Sequence, residues 1–469
     1  MTEKVTKLAF ASRVIILILQ LLANHLLPDH KPDVFRAPIA LQEKQHHLQN
    51  HQQHTNEFID VVTNITDTSS WLDRTVQFCL GGLRHWDGEY FLHIAEYSYT
   101  YENTLAFYPL FPLVVRAGAN ALYALNMGVS LRSWCLVIAV LVNVFCFCKA
   151  ANTLYELTQR IFKDPNKSWN AVLLFCFNPA SIFFTAAYSE ALFCWLSLHL
   201  MLECVSEFRF VRTTITLALS IVSRSNGLLN AGYPIYFMLR HSIVNHVKKT
   251  YRCFTTLKLV TCILAALMPL TFFYFYAFEQ FCMPDRTMVH TSAVLDYGRK
   301  RNYILAGQRN PENSPWCDKT FPFPYSYIQS HYWNVGFLRY YEVKQLPNFM
   351  LALPVLAFLL YHCVKYFRHF LSTLLPNYPF VQLLKEYKSL PFVLHALLLT
   401  VFCTFFVHVQ ISTRLLCSAT PCLYWFAADQ LPKTFDQIKL RSKAGSILVW
   451  FTSYYLIGTA LFCNNLPWT

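Results

Sequence analysis

Apolar residues along this chain gather into continuous runs of about 18 to 25 positions, with polar intervals between them. This is neither the narrow stripe of a soluble helix nor the alternation of a half-buried strand. A helix that crosses a hydrocarbon core of about 30 Å needs about 20 such residues. Windows of that length lie near 8–27, 131–152, 169–187, 189–206, 255–279, 348–366, 391–410 and 445–463, with shorter or interrupted ones near 212–239 and 414–430. The polar "SRSNG" at 223–227 divides 212–239 into two half-length or strongly tilted helices. The pattern predicts an all-α polytopic membrane protein of about 8 to 11 transmembrane helices.

The polar intervals divide the chain into five parts: an N-terminus with a first transmembrane helix (1–27), a long loop (28–130), a helical block (131–279), a second long loop (280–347) and a C-terminal block of helices (348–469). Within the first loop, 28–75 is rich in His and Gln and has no apolar period, so it reads as a flexible insertion. Its histidines are irregularly spaced, and no carboxylate or cysteine pattern completes a metal site.

Basic residues give the orientation. With Lys4, Lys7 and Arg13 on the cytosolic side, the short loops carrying Arg160/Lys163/Lys167, Arg209/Arg212, Arg240/Lys248/Lys249/Arg252, Lys365/Arg368/Lys385/Lys388 and Lys433/Lys439/Arg441/Lys443 fall on that side too. Both long loops then face the lumenal or extracellular compartment. The first apolar run has no small-x-small cleavage site before Pro28, which favours a retained signal anchor over a cleaved peptide. The last run reads as a plain final helix rather than an anchor-attachment signal. Asn64 in "NIT" is a glycosylation acceptor on the lumenal side, whereas Asn166 in "NKS" lies in a cytosolic loop and stays unmodified.

Composition agrees with the pattern. Of 469 residues, 55% are hydrophobic and 14% charged, with a mean hydropathy of +0.30, against roughly 25% charged in soluble domains. The net charge of +13 comes from short loops between apolar runs, so it reports topology and not nucleic-acid binding. Most of the sixteen cysteines lie within apolar runs, where they act as small hydrophobes, and no paired CxxC spacing for zinc occurs. Cys282 and Cys317 share the second long loop, and the sequence leaves a bridge between them open.

One segment combines aromatic and acidic residues: "GGLRHWDGEYFLHIAEYSYTYENTLAFYPLFP", 81–112. On a helix, Trp86, Tyr90, Ile94, Tyr97 and Tyr101 form an aromatic face, with Glu89, His93 and Glu96 on a solvated one. Such a helix lies in the membrane interface, and the prolines of "AFYPLFP" stop it and turn the chain back into the bilayer. Asp87 falls at the edge of the apolar stripe. Asp near a helix start is by default a cap; it is also a group able to accept the proton of an attacking sugar hydroxyl. Three further places set polar groups among apolar ones: "FNPASIFFTAAYSEALF" (177–193), with Asn178-Pro179 inside a helix and Glu190 at a hairpin turn, Arg224 in "SRSNG", and "HVQISTR" (408–414), with Gln410 and Arg414. Each alone could be interhelical glue or a snorkelling anchor. All emerge on the same side as Asp87, which makes them a functional cluster.

"RHWDGEYFLHIAEYSYTYENTLAFYPLFPLVVR", "FNPASIFFTAAYSEALF", "SRSNG" and "QISTRLLCSATPCLYWF" resemble, in order, the signature blocks of the PIG-V family, the second mannosyltransferases of glycosylphosphatidylinositol (GPI) anchor assembly. The resemblance runs from residue 84 to about 426. The chain departs from it at Ser98, where the family pattern places a Gly, and in the His-rich insertion.

The resemblance implies a GT-C-type glycosyltransferase of the endoplasmic reticulum. Such an enzyme moves mannose from dolichyl-phosphate mannose, α-1,6-linked, onto the first mannose of a glucosaminyl-phosphatidylinositol lipid in the lumen. It implies Asp87 as base and Trp86 as part of the sugar-binding wall. Arg224 and Arg414 then serve the leaving phosphate, and Glu190 and Glu102 the acceptor hydroxyls, with Gln410 beside them. No nucleotide-sugar loop or DxD pair is present, consistent with a lipid-linked donor and no cofactor; metal dependence and the need for a small membrane partner subunit are left open. Rival readings are another dolichyl-phosphate-mannose enzyme, of N-glycan precursor or protein O-mannosylation type, and a transporter, which would carry similarly broken helices in two halves.

Overall fold

A computed structural model describes residues 1–28, 30, 35, 70–206, 208–244, 249–283, 292–307, 314–432, 439 and 441–468. Asn64 and nearly all of the His-rich insertion lie outside these residues. The described chain is helical: α1 (Thr2–Leu26), α2 (Trp71–Leu80), α3 (Asp87–Tyr97), α4 (Leu110–Tyr123), α5 (Leu131–Phe162), α6 (Pro165–Cys176), α7 (Glu190–Ser206), α8 (Phe210–Ser223), α9 (Gly232–Val244), α10 (Lys249–Phe281), α11 (Ser292–Lys300), α12 (Pro324–Trp333), α13 (Leu346–His369), α14 (Phe380–Glu386), α15 (Leu390–Phe405), α16 (Val409–Ala419), α17 (Cys422–Ala428) and α18 (Lys443–Cys463). The only strand-like pairing among the described residues is one isolated antiparallel bridge, Tyr101 to Leu305.

Five of these helices are long and apolar enough to cross a bilayer: Thr2–Leu26, Leu131–Phe162, Cys253–Phe281, Val343–Ser372 and Lys443–Cys463. The 25 residues of α1 rise about 37 Å, more than a hydrocarbon core. The chain is a multi-pass membrane protein. The outer faces of these helices expose large apolar side chains such as Ile18, Leu264, Phe272 and Met350, as lipid contact requires. Lipid tails are as apolar as Leu, so helices pack there by close approach rather than by expelling water. In keeping with this, α5 and α7, which pack on each other, bury small residues: Ala139, Ala150 and Ala151 on the first, Ala191 and Cys194 on the second.

The remaining expected spans are short or broken. The window 169–187 is not one helix. It contains α6, which stops at Cys176, a 3₁₀ turn at Ser181–Phe184, and irregular backbone up to Glu190. Asn178-Pro179 therefore ends a helix instead of sitting inside one. The Asn178 amide donates to the Phe175 carbonyl at 2.8 Å and its oxygen accepts from the Ala180 N–H at 2.9 Å, closing the open end of α6. Likewise 212–239 is split as expected, into α8 and α9 on either side of a 3₁₀ turn at Ser225–Ala231. Irregular backbone at membrane depth survives only where protein satisfies its polar groups.

Arg13 is the main such group, and it corrects the sequence reading. Instead of marking a cytosolic end, its side chain is fully buried. Nη1 donates to the Ser181 carbonyl (2.8 Å) and Thr185 Oγ1 (3.1 Å), and Nη2 to the Cys176 carbonyl (3.0 Å) and Ser181 Oγ (2.5 Å). The guanidinium carbon lies 3.8 Å from the Phe147 ring centroid. One cation thus holds the break between α6 and α7.

The two long loops pack on each other. Glu102 N–H donates to the Ile304 carbonyl (2.9 Å) and Ala306 N–H to the Thr100 carbonyl (3.0 Å). Cys282 and Cys317 form a disulfide, Cα atoms 5.5 Å apart, which ties the end of α10 to the second loop. Loops that touch lie on one side of the membrane.

Candidate active site

Helix α3 begins at Asp87, directly after Trp86, whose φ is 57°. It is shorter than the aromatic periodicity suggests. It ends at Ser98, where φ is 64° and ψ −163°, well before the prolines, which instead open α4: Pro109 caps it and Pro112 lies in its first turn. Ser98 sits in a region of backbone space that L-residues other than Gly rarely occupy. That is the physical reason a Gly suits this position.

The helix does not float with a solvated acidic face. Phe91, Leu92, His93, Ile94 and Ala95 are buried, and so is Glu89, 5% exposed. Glu89 Oε1 accepts from Arg84 Nε at 2.6 Å and Oε2 from Arg132 Nη2 at 2.9 Å. Burial pushes its carboxyl up, but Arg84, Arg132 and His85 pull it further down, so it stays below the ordinary glutamate range. Burial raises the half-buried Glu96 above that range instead. A helical wheel could not show this, because the guanidiniums come from outside the helix.

Asp87 is not used as a side-chain cap. Its Oδ2 lies 2.5 Å from Nη2 of Arg414, on α16. Arg414 Nη1 is 3.8 Å from Glu190 Oε1, and Glu190 is ion-paired in turn with Arg224 Nη1. The four side chains form a row of alternating sign, carboxylate, guanidinium, carboxylate, guanidinium. Three come from a helix end or break: Asp87 and Glu190 open α3 and α7, and Arg224 stands between α8 and the 3₁₀ turn after it; Arg414 projects from the middle of α16.

Exposure is greatest at the Asp87 end and lowest inside the row. The Asp87 side chain is 29% exposed, those of Arg414 and Arg224 are 11% and 15%, and Glu190 is fully enclosed. Buried charge is tolerable only when paired, and here each charge has an opposite neighbour. The open end of the row is a carboxylate beside a guanidinium, which suits proton removal and anion binding side by side.

Gln410 precedes Arg414 by one turn of α16, on the same face. Trp86 is half-buried beside Asp87, and its indole N–H has no hydrogen-bond partner among the described residues. Backbone fit keeps the Arg224 break tight: a Cβ at Gly227 would collide with the Ser220 carbonyl. Glu102 stands apart from the row. It is fully buried and accepts from Ser314 Oγ (2.6 Å), Trp316 Nε1 (2.7 Å) and Tyr332 hydroxyl (2.8 Å). Its carboxylate fastens the second long loop rather than facing the row.

Sequence reasoning missed several residues. From the second loop, Tyr325 on α12 donates its hydroxyl to Ser225 Oγ at 2.7 Å, next to Arg224. At the other end of α12, the Trp333 ring lies 6.1 Å from that of Tyr90, one turn beyond Asp87. Helix α12 therefore runs beside the row, and its Pro324 start was the one readable signal. Tyr188 and Ser189, just before Glu190, were also missed; Ser189 Oγ accepts from Arg224 Nη1 at 3.4 Å. Among the described residues, no three His, Cys, Asp or Glu side chains come together to hold a metal ion.

The sequence model of a family described as Mannosyltransferase (PIG-V) matches residues 2–469. The chain is 51% identical over 475 residues to GPI mannosyltransferase 2 of Drosophila melanogaster, covering 100% of both chains. It is 32% identical over 525 residues to GPI alpha-1,6-mannosyltransferase 2 of Homo sapiens, covering 100% of this chain and 98% of that one. With GPI mannosyltransferase 2 of Candida albicans it shares 26% over 430 residues, 87% of this chain and 91% of the relative. No solved structure matches.

Proposed function

Because the chain belongs to the PIG-V mannosyltransferase family, we propose that it is the α-1,6-mannosyltransferase that adds the second mannose in GPI-anchor assembly. The donor is dolichyl-phosphate mannose, the acceptor the Man-GlcN-(acyl)PI lipid, and the site faces the lumen of the endoplasmic reticulum. The reading rests on the names of full-length relatives. The single observation that carries its chemistry is the contact of Asp87 with Arg414. A disulfide between Cys282 and Cys317 in the second loop supports an oxidising compartment.

Donor mannose is β-linked to phosphate and the product is α-linked, so a single inverting displacement suffices. The acceptor's 6-hydroxyl oxygen bonds to C1 of the donor mannose while the bond from C1 to the phosphate oxygen breaks. Dolichyl phosphate leaves with the electron pair, and the hydroxyl proton passes to Asp87. Arg414 and Arg224 neutralise the charge that grows on the phosphate. Glu190, enclosed between them, holds both guanidiniums in place, while Trp86 and Gln410 line the sugar.

The test is complementation of cells lacking the second GPI mannosyltransferase, read as return of GPI-anchored proteins to the surface. Purified protein should also consume dolichyl-phosphate mannose in the presence of the acceptor. If surface display is not restored by a chain that reaches the membrane, or if a nucleotide sugar is the donor, the proposal fails.

A further inference from the structure

Tyr188 is fully buried in the irregular stretch before α7, two residues ahead of Glu190. Its hydroxyl accepts from the Asp87 N–H at 3.0 Å and donates to the His85 carbonyl at 3.2 Å. Those two backbone groups flank Trp86, whose φ of 57° and ψ of −126° are unfavourable for a bulky residue. Such a conformation persists only where the surroundings hold it. Here one phenol spans it, and the N-cap residue, Trp86, makes no capping bond with its own side chain.

The phenol is itself fixed from the membrane core. Asn143 of α5 donates its amide to the carbonyls of Ala186 (2.5 Å) and Tyr188 (2.9 Å). Ala187 N–H donates to the Leu83 carbonyl at 3.0 Å. Over the ring, the Arg414 guanidinium carbon lies 5.3 Å from the centroid. One side chain therefore touches the backbone that presents Asp87 and the cation that pairs with it, and it leads directly into Glu190.

We infer that Tyr188 is a positioning residue for the transfer reaction: its hydroxyl fixes where the Asp87 carboxylate stands relative to Arg414 and to the incoming hydroxyl. It makes no contact with substrate and moves no proton. The inference rests on the reading of Asp87 as the base. A base misplaced by about 1 Å loses roughly a hundredfold in rate, with little effect on binding of either lipid.

Tyr188→Phe keeps the ring and removes only the oxygen, so the packed core stays filled. In full-length protein in mixed micelles, kcat should fall about tenfold to a hundredfold, while KM for dolichyl-phosphate mannose and for acceptor stays within about twofold. A merely structural phenol would lower the melting temperature and leave kcat per folded molecule unchanged, and that result overturns the inference. Should Tyr188→Phe not accumulate, Gly88→Ala serves, because its added Cβ would stand 3.3 Å from Cε2 of Tyr188 and press on the ring: a smaller fall in kcat with unchanged KM is expected, and an unchanged kcat overturns the inference. In an Asp87→Glu background the longer carboxylate depends less on this backbone, so the loss caused by Tyr188→Phe should shrink. An undiminished loss shows that Tyr188 acts elsewhere. Full activity in Asp87→Asn sinks the base itself, whereas an inactive Asp87→Asn with a fully active Tyr188→Phe sinks this inference alone.

Discussion

Asp87 and Arg414, 327 positions apart in the chain, meet with Oδ2 and Nη2 separated by 2.5 Å. The contact joins the first long loop to a helix near the C-terminus and leaves the carboxylate as the exposed end of a row of four charges. A general base and an anion-binding cation within hydrogen-bond distance of each other suit displacement at a sugar phosphate, where a proton leaves and negative charge grows in the same step.

Removal of either partner should therefore stop transfer. Asp87→Asn is expected to lower mannose transfer by about 10²- to 10⁴-fold without changing the amount of protein in the membrane. Arg414→Lys keeps the charge but not the fork that reaches Asp87 and Glu190 together, so it should also lose most activity. Transfer assays on equal amounts of folded protein decide this. Wild-type turnover in Asp87→Asn would remove it as base.

Glu89 should govern acid stability. Its folded carboxyl lies below the ordinary value of 4.5, so its stabilising pairs are fully present above that value and are lost as pH falls through the folded one. Glu89→Gln leaves Arg84 and Arg132 without their carboxylate and should cost about 2–3 kcal/mol at neutral pH. Since the variant has nothing left to lose on acidification, its melting temperature should drop less than wild type's between pH 7 and about pH 3. Parallel drops would show that Glu89 carries no net stabilisation.

Ser98→Gly should stabilise the protein. The strain at φ 64° is of order 1–3 kcal/mol, against about 0.5–1 kcal/mol for the extra freedom of an unfolded Gly. The substitution also gives up a 3.2 Å contact with the Tyr276 hydroxyl. A net gain of about 1 kcal/mol is expected, and Ser98→Val should be worse than wild type. Thermal unfolding in detergent distinguishes the three.

Arg13→Met should destabilise by about 3 kcal/mol or more, because carbonyls at Cys176 and Ser181 lose their donor in a buried site. Arg13→Lys should recover part of this but not all, since a single ammonium cannot reproduce the planar fork. Retention of monodisperse protein after heating measures it; equal thermal stability of Arg13→Met and wild type would show that the break between α6 and α7 holds itself.

Much of this was legible in the chain. The apolar windows at 131–152 and 445–463 fall within the membrane-length helices Leu131–Phe162 and Lys443–Cys463, and "SRSNG" marks the break that isolates Arg224. Asp87, Glu190, Arg224 and Arg414 could be singled out because a charge among apolar residues must have a reason to be there. Other features were misread for one shared cause. Glu89 looked solvated and Arg13 cytosolic because periodicity and loop charge describe an element alone. Their real neighbours, Arg132 for the first and Ser181 for the second, belong to other elements. The partners of Glu102, Trp316 and Tyr332, are likewise far from it in the chain.

Composition and spacing determined the class of molecule, the two long loops and which charges lie at the membrane. Those follow from desolvation, which acts on each segment by itself. Tertiary structure alone decided that Asp87 faces Arg414, that Tyr188 braces the turn before it, and that the window at 169–187 is a broken helix fastened by Arg13. Hydrogen bonds and ion pairs act over about 3 Å between segments far apart in sequence, so no local pattern carries them.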